Sequence, residues 1–296
     1  MEASIFTEVL LPLSLAFIMF GMGLSLTTQD FLQLFKTPKP IFVGLLGQII
    51  LLPLLALAIC LTFDLPAPIT IGLMVLSACP GGTMSNLISH LARANLALSV
   101  SLTAVSTVIC VFSTPFIIQY SINQFAGANP PEFSIIGTVL GLFFVSILPV
   151  IIGMSVRHFA QNWAFKVEGF FRKFSLFFMI AMIIAILVKE RATLMSSLEE
   201  AFLACLALNI CAILLGLFLS KVFSLSQVDG VTLGIEVGIQ NAALALLICI
   251  TFLDSPEYAV SAGIYGLAMY IGPALLTLWT KMQKTKSAED KSIQSY

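Results

Sequence analysis

The sequence predicts an all-α membrane protein of nine transmembrane helices, with an inverted repeat in which two discontinuous helices cross. Three observations carry that prediction. Of the 296 residues, 59% are hydrophobic and only 10% charged, and mean hydropathy is +1.04, too few charges to coat a soluble domain of this length. Apolar runs long enough to cross a bilayer recur along the chain between short polar breaks. The basic residues alternate from break to break as the positive-inside rule requires.

In order, the spans are read at residues 8–27, 41–62, 67–90, 95–124, 134–156, 174–189, 200–220, 229–253 and 257–280, the sixth being short. Short loops make chain neighbours antiparallel. With the C-terminal tail in the cytoplasm, counting back through nine spans puts the N-terminus outside, and Lys189 and Arg191 are then the two external basic residues of the 14. One span more or fewer would spoil this alternation. The protein is therefore read as multi-pass in the cell membrane, with one transmembrane domain over residues 1–280 and a cytoplasmic tail over 281–296 that is expected to lack fixed structure. The cytoplasmic segment 157–173 interleaves Phe159, Trp163, Phe165, Phe170 and Phe171 with Arg157, Lys166, Arg172 and Lys173. It reads equally as an interfacial helix or a plain connector. Trp279 beside Lys281 reads as an interface anchor.

The N-terminus, MEASIFTEVL, carries Glu2 and Glu8 and no basic residue, unlike a targeting signal. A net charge of −1 without a basic tract gives no reason to expect nucleic acid, and no obligatory protein partner is evident. The six cysteines lie in apolar runs without CxxC spacing and read as small buried hydrophobes.

Two spans are interrupted. Span three holds CPGGTMSN at residues 79–86, and span eight holds GIEVGIQN at residues 234–241. Pro80 removes a backbone donor, and Gly81, Gly82, Gly234 and Gly238 permit unwinding. The topology makes these two spans antiparallel, as in inverted repeats whose broken helices cross near the midplane. The first half, about 1–125, then lacks one helix relative to the second, about 134–280. Glu236 is the one acid placed inside a span. A carboxylate at that depth coordinates an ion or carries a proton; the blander reading is packing against a neighbouring amide. Thr83, Ser85 and Asn86 supply hard oxygens beside the first break, a set suited to Na⁺ rather than Mg²⁺ or Ca²⁺, unless they only satisfy a kinked backbone. Ser99 and Thr103 share a face of span four, where back-bonding is the usual fate of a hydroxyl. Gln48, inside span two, reads as a ligand or as a bridge between helices. His90 and His158 read as interfacial, with a proton relay at His90 as the alternative. There is no nucleotide-binding loop, nucleophile elbow or zinc motif, so the chain is read as not an enzyme.

FGMGLSL at residues 20–26, the stretch at residues 79–107 and EVGIQNAALA at residues 236–245 resemble the bile acid:sodium symporter family, in order and over essentially the whole chain. The resemblance implies separate core and panel domains, and a pair of Na⁺ sites behind the crossover. The first would use Ser85, Asn86, Ser99, Thr103 and Glu236. The second would use Gln48, Glu236 and Gln240 with the backbone carbonyls of Val237 and Ile239. Thr83 and Asn241 fall on the substrate-facing side. The chain starts at what would be the second helix of ten-span members, and Met269 aligns with a position that is Asn in some bacterial relatives. The implied activity is sodium-coupled symport of organic anions, bile-acid-like or small carboxylates, by alternating access. A proton-coupled or passive carrier, or a membrane sensor without turnover, are the rivals. With no cation evident in the membrane core, anion recognition would rest on backbone dipoles, amides and hydroxyls.

Overall fold

The computed structural model describes residues 9–128 and 130–293; Glu2, Glu8 and the last three residues of the tail lie outside them. Among the described residues the secondary structure is helical, apart from one antiparallel bridge between Gly81 and Gln240. α1 (Leu11–Ser25) is followed at a 64° bend by α2 (Thr28–Lys36). α2 falls between the first two predicted spans, where the sequence predicts a short connection. Its signal is a capping box, in which the Thr27 backbone N–H and hydroxyl both donate to Asp30 Oδ2, at 2.6 and 2.8 Å.

α3 (Pro38–Leu45) and α4 (Leu52–Thr62) form one helix through a π-turn at Leu46–Leu51. α8 (Ile135–Leu142) and α9 (Leu148–Phe159) do the same through Phe143–Ile147. Each π-turn precedes a proline, Pro53 or Pro149, whose missing N–H and bulky ring upset the regular ladder. Between these pairs come α5 (Ala67–Ala78), α6 (Met84–Leu91) and α7 (Leu96–Phe125). After them come α10 (Gln161–Lys189), α11 (Arg191–Val222), α12 (Gln227–Gly238), α13 (Ala242–Leu247), α14 (Ala259–Ala268) and α15 (Ile271–Ile293).

Among the described residues, six helices are long and apolar enough to cross a membrane, or seven if the bent pair α1–α2 is one span. The expected third and eighth spans are each broken into two short helices, α5–α6 and α12–α13. Three expectations change. Of the two readings of segment 157–173 the plain connector falls: most of it is the first half of α10, a single helix of 29 residues, so the sixth span is not short. The tail is helical as far as Ile293. The last span is interrupted at residues 269 and 270, where the sequence reading saw a continuous helix.

The outer surface is apolar, with Phe35, Ile136, Phe159 and Phe177 all more than 70% exposed, as a lipid-facing bundle requires. α1 crosses α9 closely. A Cβ on Gly23 would stand 2.3 Å from the Val150 carbonyl oxygen, and one on Gly153 the same distance from that of Phe20. Only glycines permit this approach. Phe17 packs on Phe170, Phe171 and Phe174 of α10, so α1, α9 and α10 form one packed group. The six cysteines are free, and five are buried.

Candidate functional site

The two breaks cross and complete each other. Gly82 N–H donates to the Ile239 carbonyl at 3.2 Å, and Asn241 N–H to the Pro80 carbonyl at 2.9 Å, flanking the Gly81–Gln240 bridge. Backbone groups freed by Pro80 and the glycines are thereby satisfied away from water. A Cβ on Gly82 would lie 2.9 Å from the Gln240 carbonyl oxygen, so the crossing requires glycine there. Asn241 Oδ1 caps α13 by accepting from Leu244 N–H at 3.1 Å, and Thr114 Oγ1 donates to the freed Ala78 carbonyl at 2.5 Å.

A ladder of polar pairs sets α7 against α12. At its foot Asn95 Nδ2 donates to Asp229 Oδ1, and Asn95 N–H to Thr232 Oγ1, both at 2.8 Å. Successive turns of the same faces then bring Ser99 and Thr103 to Glu236. Ser99 Oγ donates to Glu236 Oε1 and also lies 2.8 Å from Asn86 Oδ1. Thr103 Oγ1 donates to Glu236 Oε2 at 2.9 Å, and Ser85 Oγ is 3.5 Å from Thr103 Oγ1. Ser85, Asn86, Ser99, Thr103 and Glu236 therefore meet as one cluster. Asn86 is half-buried and the others are buried. The blander readings divide. Ser101, Ser106 and Thr107 back-bond to helix carbonyls as hydroxyls usually do, whereas Ser99 and Thr103 reach the carboxylate.

Gln48, in the π-turn of Leu46–Leu51, comes to the same place. A Cβ on Gly81 would stand 3.0 Å from both Gln48 Nε2 and Glu236 Oε2. Gln48 is 1% exposed, and among the described residues neither end of its amide has a hydrogen-bond partner; Gln240 Oε1 is likewise unpartnered. Gln240 Nε2 donates to the Val237 carbonyl at 2.9 Å, and the Ile239 carbonyl accepts from Gly82. Each of these carbonyls keeps a second lone pair. Orphaned amide oxygens beside a carboxylate and three hydroxyls make a donor set of hard oxygens, which fits an alkali cation.

Thr83 and Asn86 line a cavity of about 350 Å³ between α6–α7 and the group α1, α9 and α10. Thr83 and Asn241 meet Met269 in a smaller one of about 30 Å³. His90 is exposed and also faces the larger cavity. Arg157, which the sequence places at the start of a cytoplasmic interfacial helix or connector, lines the larger cavity from the last turn of α9.

The family model for the sodium bile acid symporter family matches residues 12–197, well over half of the chain. The chain belongs to that family. A Bacillus subtilis (strain 168) relative, sodium-dependent transporter YocS, is 31% identical over 98% of this chain and 89% of its own length. The probable chloroplastic sodium/metabolite cotransporters BASS2 of Oryza sativa subsp. japonica and BASS1 of Arabidopsis thaliana are 28% and 29% identical, over 94% and 92% of this chain. The chain spans about two thirds of the length of those plant proteins, 64% and 67%. The relatives' names are those of transporters, as the sequence reading expected of a chain that is not an enzyme.

One residue of this symporter-family chain escaped the sequence reading. Asn209 of α11 is fully buried. Its Nδ2 donates to the Gly238 and Met269 carbonyls at 2.9 and 3.2 Å, and its Oδ1 accepts from Gly272 N–H at 3.0 Å. A single amide thus ties the break of α12 to the break between α14 and α15. Tyr265 Oη also donates to the Gly238 carbonyl, at 2.9 Å. Asn209→Ala is expected to destabilise the protein by on the order of 1–3 kcal/mol, because it orphans the Met269 carbonyl and the Gly272 N–H. Tyr265→Phe should cost less, since Gly238 keeps its second donor. Melting temperatures of the two variants in detergent check the order.

Proposed function

We propose that this chain is a sodium-coupled secondary active transporter of small organic anions that works by alternating access. The observation that carries the reading is the buried Glu236 carboxylate at the crossing of two broken helices, held by Ser99 and Thr103 next to the unpartnered amides of Gln48 and Gln240. A Na⁺ ion at Ser85, Asn86, Ser99, Thr103 and Glu236, and a second at Gln48, Glu236, Gln240 and the carbonyls of Val237 and Ile239, would compensate that carboxylate. The first ion would draw α6, α7 and α12 together, and the second would tie the π-turn that carries Gln48 to the end of α12. Substrate would occupy the cavity beside Thr83 and Asn86, with Asn241 on the same side of the crossing. α6 and α13 turn their N-termini, the positive ends of their dipoles, towards the crossing. In this reading α5–α6 and α12–α13 each cross as a broken span, which makes nine. α1, α9 and α10 form the panel that moves against the remaining core. The protein sits in the cell membrane with its C-terminus in the cytoplasm.

The test is thermal unfolding in detergent with Na⁺ titrated against K⁺ at fixed ionic strength. A ligand that binds only the folded state raises the melting temperature with concentration, so a Na⁺-specific rise is expected. Identical curves in Na⁺ and K⁺ would sink the reading and point to a pH-driven carrier. In the same assay Asn86→Ala should raise the Na⁺ concentration needed for half the shift by several-fold without abolishing it, because it removes one neutral ligand; an unchanged titration would remove Asn86 from the site.

A further inference from the structure

We propose that Arg157 is the anion-recognition residue of the 350 Å³ cavity, holding the carboxylate of a small organic acid at its mouth while the apolar body lies against Ile18, Met22 and Phe171. The proposal takes the ligand's task from the transport reading and its chemistry from the cavity. The guanidinium is anchored: Nη1 donates to the Leu24 carbonyl at 2.7 Å, and Cζ sits 4.9 Å over the Phe165 ring. Anchoring uses one of five N–H donors. Among the described residues no acid pairs with it, although Glu168 lines the same cavity. A half-buried cation without a counter-ion is costly, and a ligand carboxylate, which can accept two parallel N–H donors from the fork, would offset that cost.

The opposite wall fits the same ligand. Asn86 and His90 lie one turn apart on α6, so the cavity floor runs along a single helix face. Asn86 is also the residue whose Oδ1 meets Ser99, itself bonded to Glu236. A ligand held by Arg157 and reaching Asn86 would touch the cation cluster directly. The lining between those two points is mostly apolar: Ile18, Met22, Leu87, Val100 and Phe171. That composition favours an acid with a compact hydrocarbon body over a phosphate or a sugar.

The experiment reads the local potential and needs no known substrate. Ser175, on the cavity wall in α10, is replaced by Cys. The purified variant is treated with an anionic methanethiosulfonate carrying a sulfonate, and separately with a cationic one carrying trimethylammonium. The parent protein treated alike sets the background from its six cysteines. Each rate is divided by the same reagent's rate with a small free thiol, which removes the thiolate's own preference for the cationic reagent, and the sulfonate reagent is then expected to be the faster. Adding Arg157→Gln should lower the anion-to-cation rate ratio by about tenfold or more, and Arg157→Lys should restore most of it. A ratio that ignores Arg157→Gln would overturn the proposal. So would a faster normalised reaction with the cationic reagent, which would mean that Glu168 sets the potential. Failure of both reagents to react would show that small ions do not reach the cavity, with the same consequence. The ratio depends on neither Na⁺ binding nor turnover, so a failed proposal here and a failed transport reading give different results.

Discussion

Replacing Glu236 by glutamine is expected to abolish Na⁺ stabilisation while leaving the Na⁺-free protein at least as stable as before. The two halves of that result have one cause. Glutamine keeps the shape of the side chain, and its oxygen can still accept from Ser99 or Thr103, which now hold the carboxylate. What it removes is a negative charge that is 1% exposed and has no cationic side chain among its hydrogen-bond partners. Burying an uncompensated charge costs several kcal/mol, so neutralising it is neutral or favourable when no cation is bound. A bound cation reverses the balance. At one hundred times its dissociation constant, Na⁺ should stabilise the parent protein by about 2.7 kcal/mol, and the variant by nothing measurable. Glu236→Ala should lose the Na⁺ effect too, but with a lower starting melting temperature, because it leaves the Ser99 and Thr103 hydroxyls without their acceptor. A packing role would lower the Na⁺-free melting temperature in both variants and leave the Na⁺ increment intact. Sodium-driven uptake into vesicles should disappear in both, and its persistence in either would remove Glu236 from the coupling site.

Much of this cluster could be read before the fold was known, because membrane depth makes polar residues conspicuous. Glu236 stands out as an acid in an apolar run, and Pro80, Gly81, Gly82 and Gly238 mark where helices cannot continue. Charge alternation oriented the two breaks as antiparallel, and the bridge between Gly81 and Gln240 has that sense. On α7 the i, i+4 spacing puts Ser99 and Thr103 on one face, apart from Ser101. Which way that face points was not legible: the register set by Asn95 against Asp229 and Thr232 turns it to Glu236.

The features missed are those whose partners are distant carbonyls. Asn209 has no neighbouring motif; its importance comes from breaks at residues 238 and 269, roughly 30 and 60 positions away. The second of these breaks had a signal in Gly272-Pro273, since Pro273 cannot supply the N–H that would extend the previous helix, but an otherwise apolar run outweighed it. Arg157 was assigned by topology alone. Nothing in the spacing says that the end of α9 borders a cavity, a placement fixed by the hydrogen bond of Arg157 to the Leu24 carbonyl and by the glycine crossing of α1 with α9.

The crossing itself makes the second large prediction. Gly81→Val is expected to eliminate Na⁺ binding, and Gly81→Ala to weaken it by at least about tenfold, equivalent to 1.4 kcal/mol. A Cβ at this position meets Gln48 Nε2 and Glu236 Oε2 at 3.0 Å and Thr103 Oγ1 at 3.7 Å. These are the ends of side chains, so a single methyl can be accommodated by moving them a few tenths of an ångström. That movement separates the oxygens a cation would share. Valine adds two further methyls in the same direction and fills the space. The neighbouring glycine should behave differently. At Gly82 the obstacle is the Gln240 backbone oxygen, 2.9 Å from the new Cβ, and a backbone in a crossing strand pair cannot step aside. Gly82→Ala should therefore strain the bonds from Gly82 to Ile239 and from Asn241 to Pro80, losing stability and Na⁺ response together. Gly169→Ala, where a Cβ would meet nothing within 4 Å, serves as the control and should titrate like the parent. Melting curves in Na⁺ and K⁺ for the four variants separate the effects. A Gly81→Val protein that still shows the parent's Na⁺ shift would place the cation somewhere other than between Gln48 and Glu236.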